Sequence, residues 1–315
     1  MIVLFCLLLA GAWMLLPPRG LRGIVSRPDP AATYADAHDR IERFRVGEPD
    51  GMNPLCSLRF FSHGVKTSRS VILVHGYTSC PRQFQELGRR LFASGSNVLI
   101  APLPHHGMLD RMTADHSRLG AGELAGYADR VVDIATGLGQ EVVIAGISAG
   151  GVTAAWAAQN RREVNRAVVI SPAFGFRELP APFTAAAMNV FRFLPDRFAW
   201  WDPVLKEDIA PFYAYPRYSR RALAEILRLG FAVREGMKYK PPAAGKIVMV
   251  TNAGDDKVNN GLTKAIAKRW REWGASIETF EFDVSLGLGH DLVDPDQPDE
   301  KIEIVYPKLI ELMGG

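Results

Sequence analysis

A serine flanked by glycines follows an apolar run near the middle of the chain. The run is 142–145, the serine is Ser148 in Gly146-Ile-Ser-Ala-Gly150, and the alanine-rich stretch 149–159 comes next. A sharp turn from strand to helix strains its central residue and brings neighbouring chain close, so small residues are needed on both sides. The pattern therefore predicts a strand-turn-helix unit that exposes the Ser148 hydroxyl above a sheet.

A serine hydroxyl becomes a nucleophile when a base takes its proton and a carboxylate holds that base in one tautomer. Of the seven histidines only His290 lies downstream of Ser148, in a glycine-flanked loop. Asp255 and Asp256 both follow an apolar stretch, between serine and histidine in chain order. We prefer Asp255, because Val258 three residues later packs inward while that carboxylate faces the site. Asp256 remains the alternative acid.

The oxyanion that forms during attack on a carbonyl needs two backbone amides. One is expected from Ala149, at the start of the helix after the nucleophile, where the helix dipole also favours negative charge. The other is expected from Tyr77, in the loop that follows the apolar run 71–74. His75 in the same loop is interpreted as a residue that orients the loop and not as a base.

The stretches around these residues alternate between strand and helix patterns. Apolar runs predict strands at 58–61, 70–75, 97–101, 142–145, 166–170, 246–251 and 276–283. Helical periodicity lies between most of them, at 81–93, 123–136, 149–159 and 261–273, and a last helix closes the chain at 300–313. This order predicts an α/β fold with a mostly parallel sheet flanked by helices.

The alternation of strand and helix patterns is interrupted between residues 173 and 244, where no strand is predicted. Proline-punctuated pieces rich in Phe, Trp and Tyr precede an amphipathic helix at 219–231. Such an insertion either packs a small core of its own or covers a cleft with apolar surface. We expect a helical cap here, in which different aromatic residues serve both purposes.

Composition limits the possible functions. A net charge of +3 from 37 basic and 34 acidic residues gives no indication of nucleic-acid binding. The three cysteines, Cys6, Cys56 and Cys80, are too few and too scattered for a disulfide framework or a zinc site. No metal or organic cofactor is expected, and the oligomeric state is left open.

The first sixteen residues carry no charge and are followed by Pro17, Pro18 and several arginines. We interpret residues 1–18 as a membrane-directed segment and 19–55 as a linker to a catalytic domain at 56–315. The segment is short for a full span, and a signal cleaved after Ala12 would leave apolar residues on the mature chain. An uncleaved anchor is therefore preferred over a cleaved signal peptide. The arginines favour a cytoplasmic catalytic domain, but the side of the membrane on which that domain lies is left open.

Four motifs, taken together, resemble the α/β-hydrolase family. They are His75-Gly76 at a strand end, Gly146-x-Ser148-x-Gly150, Asp255-x-x-Val258 and Gly289-His290. The oxyanion loop His-Gly-Tyr-Thr and the position of the insertion are similar to the monoacylglycerol lipase and carboxylesterase branch. The resemblance covers about 56–315 and implies a Ser148, His290 and Asp255 triad beneath a cap at about 173–244.

The expected activity is hydrolysis of carboxylic esters with a lipophilic acyl group. Thioesterase, lactonase and related activities use the same residue set and stay open, because function lies in the pocket and not in the fold. A metal-dependent hydrolase is a second class, suggested by His105, His106, Asp110, Asp115 and His116, although their spacing matches no recognised ligand pattern. A third class is a catalytically silent fold used for binding.

Overall fold

A computed structural model describes residues 18–314 and contains a seven-stranded sheet. The strands have the order β1-β3-β2-β4-β5-β8-β9, and all neighbouring pairs are parallel except the antiparallel pair β1 and β3. Their bounds are β1 Arg59–Phe61, β2 Thr67–Val74, β3 Asn97–Ile100, β4 Gly139–Ile147, β5 Val164–Ile170, β8 Lys246–Asn252 and β9 Ile277–Phe282. The predicted α/β fold with a mostly parallel sheet is confirmed.

Helices cover both faces of this sheet. They are α1 Tyr34–Val46, α2 Gln85–Ala93, α3 Ala121–Leu138, α4 Ala149–Asn160, α5 Thr184–Phe193, α6 Arg220–Gly236, α7 Asn260–Glu272 and α8 Ile302–Leu312. Successive strand side chains point to opposite faces, so Ile72 and Val74 of β2 join the core beneath α3 and α4, while Val71 and Leu73 join the core beneath α2 and α8. The parallel strands are buried on both faces, which explains their unbroken apolar runs.

The insertion after β5 contains α5, α6 and a two-stranded antiparallel sheet, β6 Phe198–Trp200 and β7 Arg217–Ser219. The expectation that 173–244 holds no strand was therefore wrong. Each strand has only three residues, which is too short for an alternating pattern to stand out from a proline-rich background. The predicted helix of this region is present as α6.

A disulfide bond joins Cys56 to Cys80, with the two Cα atoms 5.2 Å apart. The three cysteines were expected to be too few and too scattered for a disulfide framework, and residue spacing did not indicate this single bond between cysteines 24 positions apart. Tyr213 of the insertion packs against both cysteines in a small buried cluster. The bond therefore fastens the segment before β1 to the loop that precedes α2.

Part of the predicted linker 19–55 packs against the sheet domain. Leu21, Ala31, Ala37 and Ile41 are buried in the same core as α3. The predicted apolar segment 1–18 lies, except for its last residue, outside the described residues. Among residues 18–314, no helix is long and apolar enough to cross a membrane.

Candidate active site

Ser148 lies at the turn between β4 and α4, with the positive φ of 56° and a ψ of −114°. Glycine is required on both sides of it for space. A Cβ atom on Gly146 would lie 2.3 Å from the carbonyl oxygen of Gly150, and one on Gly150 would lie 2.1 Å from that of Val74. A non-glycine residue in such a conformation costs about 1–3 kcal/mol and persists only where the surroundings impose it. The turn predicted from the glycine spacing is thus present, and Ser148 is partly accessible.

His290 and Asp255 are joined by a hydrogen bond. The distance between His290 Nδ1 and Asp255 Oδ2 is 2.8 Å, and both side chains are almost completely buried. The other carboxylate oxygen, Oδ1, accepts the backbone amides of Lys257 at 2.9 Å and Val258 at 3.1 Å. Because a carboxylate faces Nδ1, that nitrogen carries the hydrogen and Nε2 keeps its lone pair. This arrangement leaves Nε2 of the neutral imidazole able to accept a proton.

Asp256, the alternative acid, is placed differently. Its side chain is 63 % exposed and pairs with Lys257 Nζ at 2.7 Å. Val258 is buried, as the packing argument for Asp255 required. The carboxylate that contacts His290 is thus that of Asp255.

Opposing effects act on the pKa values of the His290 and Asp255 pair. Burial lowers the pKa of His290, but the charge and hydrogen bond of Asp255, with smaller effects of Asp291 and Asp256, outweigh burial and raise it. Burial raises the pKa of Asp255, but His290 and the amides of Lys257 and Val258 outweigh burial and lower it. Both shifts favour the charged imidazole beside a charged carboxylate, which is the state that follows proton uptake by the base.

The sheet brings Ser148 to the same edge as this pair. Ser148 follows β4, Asp255 follows β8 and His290 follows β9, and the carboxyl ends of these parallel strands lie together. Strands β4 and β8 are two positions apart, about 10 Å. Within the described part of the chain no hydrogen bond links Ser148 Oγ to His290. Such contacts are often long without substrate and tighten when it binds.

The loop after β2 contains Tyr77, whose amide was predicted to contact the oxyanion. Thr78 has a positive φ of 66°, and its amide donates to His106 Nε2 at 3.3 Å. The amide of Gly76 donates to Gln83 Oε1 at 2.8 Å. Among the hydrogen bonds of residues 18–314, none uses the amide of Tyr77 or of Ala149 as donor. Neither amide is thus engaged by another described residue.

The His75 side chain connects this loop to the loop after β3. Its Nε2 accepts the Leu103 amide at 2.9 Å, and its Nδ1 lies 2.8 Å from the carbonyl oxygen of Gly76. The first contact requires a lone pair on Nε2, so Nδ1 carries the hydrogen and donates to Gly76. Burial lowers the pKa of His75 to about 3, so the ring is neutral. These contacts match the orienting role expected for His75.

The insertion rests on the same loop. Trp201 Nε1 donates to Thr78 Oγ1 at 2.9 Å, and the Tyr215 amide donates to the Thr78 carbonyl oxygen at 2.8 Å. The Ser219 amide donates to Tyr77 Oη at 3.0 Å. These supporting contacts were not predicted from the sequence, because each joins residues more than a hundred positions apart and a local pattern does not indicate such pairs.

The histidines considered as metal ligands are engaged elsewhere. His105 pairs with Glu123, His106 accepts the Thr78 amide, and His116 Nδ1 lies 2.7 Å from Tyr77 Oη. In residues 18–314 no group of three or more His, Cys, Asp or Glu side chains is arranged to hold a metal ion.

Comparisons with known proteins agree with this architecture. No curated protein matches the chain in sequence. A structure of the metagenome-derived lipolytic enzymes LipS and LipT has 16% identity and a TM-score of 0.61, covering 84% of this chain and 99% of its own. Monoacylglycerol lipase from Paleococcus ferrophilus has 18% identity and a TM-score of 0.60, covering 82% and 98%. A soluble variant of monoglyceride lipase from Saccharomyces cerevisiae has 14% identity and a TM-score of 0.61, covering 82% and 90%.

At these identities the likeness to solved structures shows the fold alone. A model described as the Alpha/beta hydrolase family matches residues 71–303, which is well over half of the chain. The match begins within β2 and ends within α8, so it includes Ser148, Asp255 and His290. The chain belongs to the alpha/beta hydrolase family.

Proposed function

We propose that this protein is a serine hydrolase that cleaves carboxylic esters with a lipophilic acyl group. The observation that carries the proposal is the 2.8 Å hydrogen bond between His290 Nδ1 and Asp255 Oδ2, at the sheet edge where Ser148 occupies a strained, glycine-flanked turn. A base held in one tautomer by a buried carboxylate is what a serine nucleophile requires.

In this mechanism Ser148 Oγ attacks the ester carbonyl carbon while His290 Nε2 takes the hydroxyl proton. The amides of Tyr77 and Ala149 donate to the oxyanion. The tetrahedral intermediate collapses to an acyl-serine, and His290 returns the proton to the departing alcohol. Water, deprotonated by His290, then attacks the acyl-serine and releases the acid. Asp255 stabilises the imidazolium in both halves of the reaction.

Aromatic side chains of the insertion support a lipophilic substrate. Phe176, Phe191, Trp201 and Tyr218 are half-buried and pack against the core. The rings of Trp201 and Tyr218 lie 4.5 Å apart, and Trp201 also donates to the loop that presents the Tyr77 amide. Each methylene of an acyl chain that such apolar surface buries would contribute about 0.8 kcal/mol to binding.

Labelling with a fluorophosphonate and hydrolysis of p-nitrophenyl esters of increasing chain length test the proposal. We expect Ser148→Ala to lose labelling and at least about 10³-fold in kcat. Ser171→Ala is the matched control, because Ser171 is also a serine with positive φ at the end of a strand, and it should remain labelled. An unlabelled wild-type protein that hydrolyses no ester would contradict the proposal.

The same assay separates the alternatives. If acyl thioesters or lactones are hydrolysed faster than esters with the same acyl group, the proposed substrate class is wrong, but the proposed triad stands. Loss of activity with EDTA would favour a metal-dependent hydrolase. A folded, unlabelled and inactive wild-type protein would favour a binding function.

Membrane association also belongs to the proposal and rests on the uncharged sequence of residues 1–16 alone. The arginines after this segment favour a cytoplasmic domain, whereas the Cys56–Cys80 disulfide favours an oxidising compartment. We give more weight to the disulfide, because one short segment orients weakly. The catalytic domain is thus proposed to face the oxidising side.

A further inference from the structure

Gln83 is a buried glutamine that contacts two loops of the proposed site. It lies in the short 3-10 helix Pro81–Phe84, directly after the loop that carries Tyr77, and it has no exposed surface. Its Oε1 accepts the Gly76 amide at 2.8 Å, and its Nε2 donates to Asp291 Oδ1 at 3.1 Å. Because a backbone N–H only donates, Oε1 must face Gly76, which fixes the orientation of the side-chain amide.

Both partners of Gln83 adjoin groups of the proposed mechanism. Gly76 directly precedes Tyr77, and Asp291 directly follows His290. A Cβ atom on Gly76 would lie 3.6 Å from Ser148 Cβ and 3.7 Å from Gln83 Oε1. One side chain therefore spans the distance between the oxyanion loop, beside the nucleophile, and the loop of the base.

We propose that Gln83 is a positioning residue that holds the Tyr77 amide and the His290 imidazole in the relative arrangement that Ser148 requires. The inference rests on the proposed serine hydrolase function. Catalysis depends on this arrangement because a displacement of about 1 Å lowers the rate on the order of 10²-fold. A hydrophobic side chain of the same size would fill the space but would connect neither loop.

The link to Asp291 involves an ionisable partner. In the part of the chain that the structure describes, Gln83 is the only hydrogen-bond donor to the Asp291 carboxylate. Burial, with a smaller effect of the Asp255 charge, raises the pKa of Asp291, while His290, Gln83 and Lys257 act in the opposite direction. Without the Gln83 donor the Asp291 carboxylate would lose this hydrogen bond, which favours displacement of its loop.

The first test compares two buried glutamines. Gln83→Met removes both hydrogen bonds and keeps the side-chain length. Gln159→Met is the matched control, because Gln159 is equally buried and accepts the Trp270 indole at 2.7 Å, yet it lies eleven residues after Ser148, about 16 Å along α4. We expect similar losses of thermal stability, but a fall of about 10- to 100-fold in kcat for Gln83→Met alone, with KM changed by less than about threefold.

The second test uses Gln83→Glu across a pH series. When protonated, the introduced carboxylic acid both accepts from Gly76 and donates to Asp291; when ionised, it repels Asp291. The ratio of its kcat to that of the wild type should therefore rise as the pH falls, whereas the ratio for Gln83→Met should stay flat. The ionisable groups that act on this position are His290, Asp255, Asp256, Asp291 and Lys257.

The outcomes separate this inference from the proposed function. If the wild type is active and needs Ser148, but Gln83→Met retains as much kcat as Gln159→Met, the positioning role is wrong and the hydrolase function stands. If Gln83→Met does not fold, the pH series for Gln83→Glu decides, and a flat ratio overturns the inference. If the wild type shows neither labelling nor hydrolysis, the proposed function itself has failed.

Discussion

Replacing Asp255 by asparagine tests whether Asp255 is the acid of the triad, while keeping a side chain of the same size at that position. The Oδ1 atom of Asp255 accepts two backbone amides, from Lys257 and Val258, and an asparagine oxygen can still accept both, although more weakly than a carboxylate. The substitution alters the hydrogen bond at Oδ2, which lies 2.8 Å from His290 Nδ1. An amide group there donates a hydrogen, so His290 must place its own hydrogen on Nε2 and loses the lone pair that takes the Ser148 proton.

The magnitude follows from these contacts. In serine proteases the same replacement lowers kcat by about 10⁴, because the tautomer is wrong although the geometry is kept. At about 1.4 kcal/mol for each factor of ten, this corresponds to about 5.5 kcal/mol of transition-state stabilisation. The free energy of unfolding should fall by only about 1.5–3 kcal/mol, the contribution of one hydrogen bond to a charged group.

Steady-state hydrolysis of a p-nitrophenyl ester over a range of pH measures the effect, with Asp256→Asn as the matched control. Asp256 is exposed and contacts Lys257, so its replacement should change kcat by less than about twofold. Activity requires neutral His290 and therefore rises with pH through the His290 pKa, which Asp255 raises above the ordinary value. Asp255→Asn should move this acid limb to lower pH. Full activity in Asp255→Asn, with loss in Asp256→Asn, would refute the reasoning.

Two further predictions concern stability. The Cys56–Cys80 bond spans 24 residues, so Cys56→Ser or reduction should lower the free energy of unfolding by about 3.4 kcal/mol and the melting temperature by about 5 °C. An unchanged melting temperature in reductant would contradict this prediction, as would a free Cys80 thiol in protein from its native compartment. Burial raises the pKa of Asp294 from 3.8 to about 7. The protonated carboxyl therefore contributes to the free energy of unfolding in full below about pH 4, and this contribution is lost as the pH rises through 7. The loss is at most about 4 kcal/mol. Urea unfolding of wild type and Asp294→Asn should show a smaller pH dependence in the variant, and equal slopes would count against it.

Local patterns were sufficient for the sheet and for the turn at Ser148. The run that forms β4 is apolar because β2 and β5 flank that strand and helices cover both of its faces. The glycines at 146 and 150 are required by contacts within the turn and with the end of β2. In both cases the affected residues lie within one short stretch of sequence, so a local pattern of residue types is enough to indicate the element, although one of the contacts comes from β2.

The contacts that support the site carry no such local signal. Cys56 and Cys80 meet only because the chain before β1 returns to the loop after β2. The strands β6 and β7 are too short to show a period, and they are defined by pairing with each other and by contact with Thr78 and Tyr77. Each of these features depends on tertiary distances that residue spacing does not encode.

His290 and Gln83 show why chemistry is easier to predict than its support. A base that works near neutral pH restricts the choice to very few residue types, and chain order left His290 as the only histidine after the nucleophile. A link between a backbone amide and a carboxylate can be made by several polar side chains from many positions, and Gln83 is one of five glutamines in the chain. Its location before the apolar face of α2 is ordinary for a helix start. Only its contacts with Gly76 and Asp291 distinguish it, and therefore only the comparison with an equally buried glutamine tests what it does.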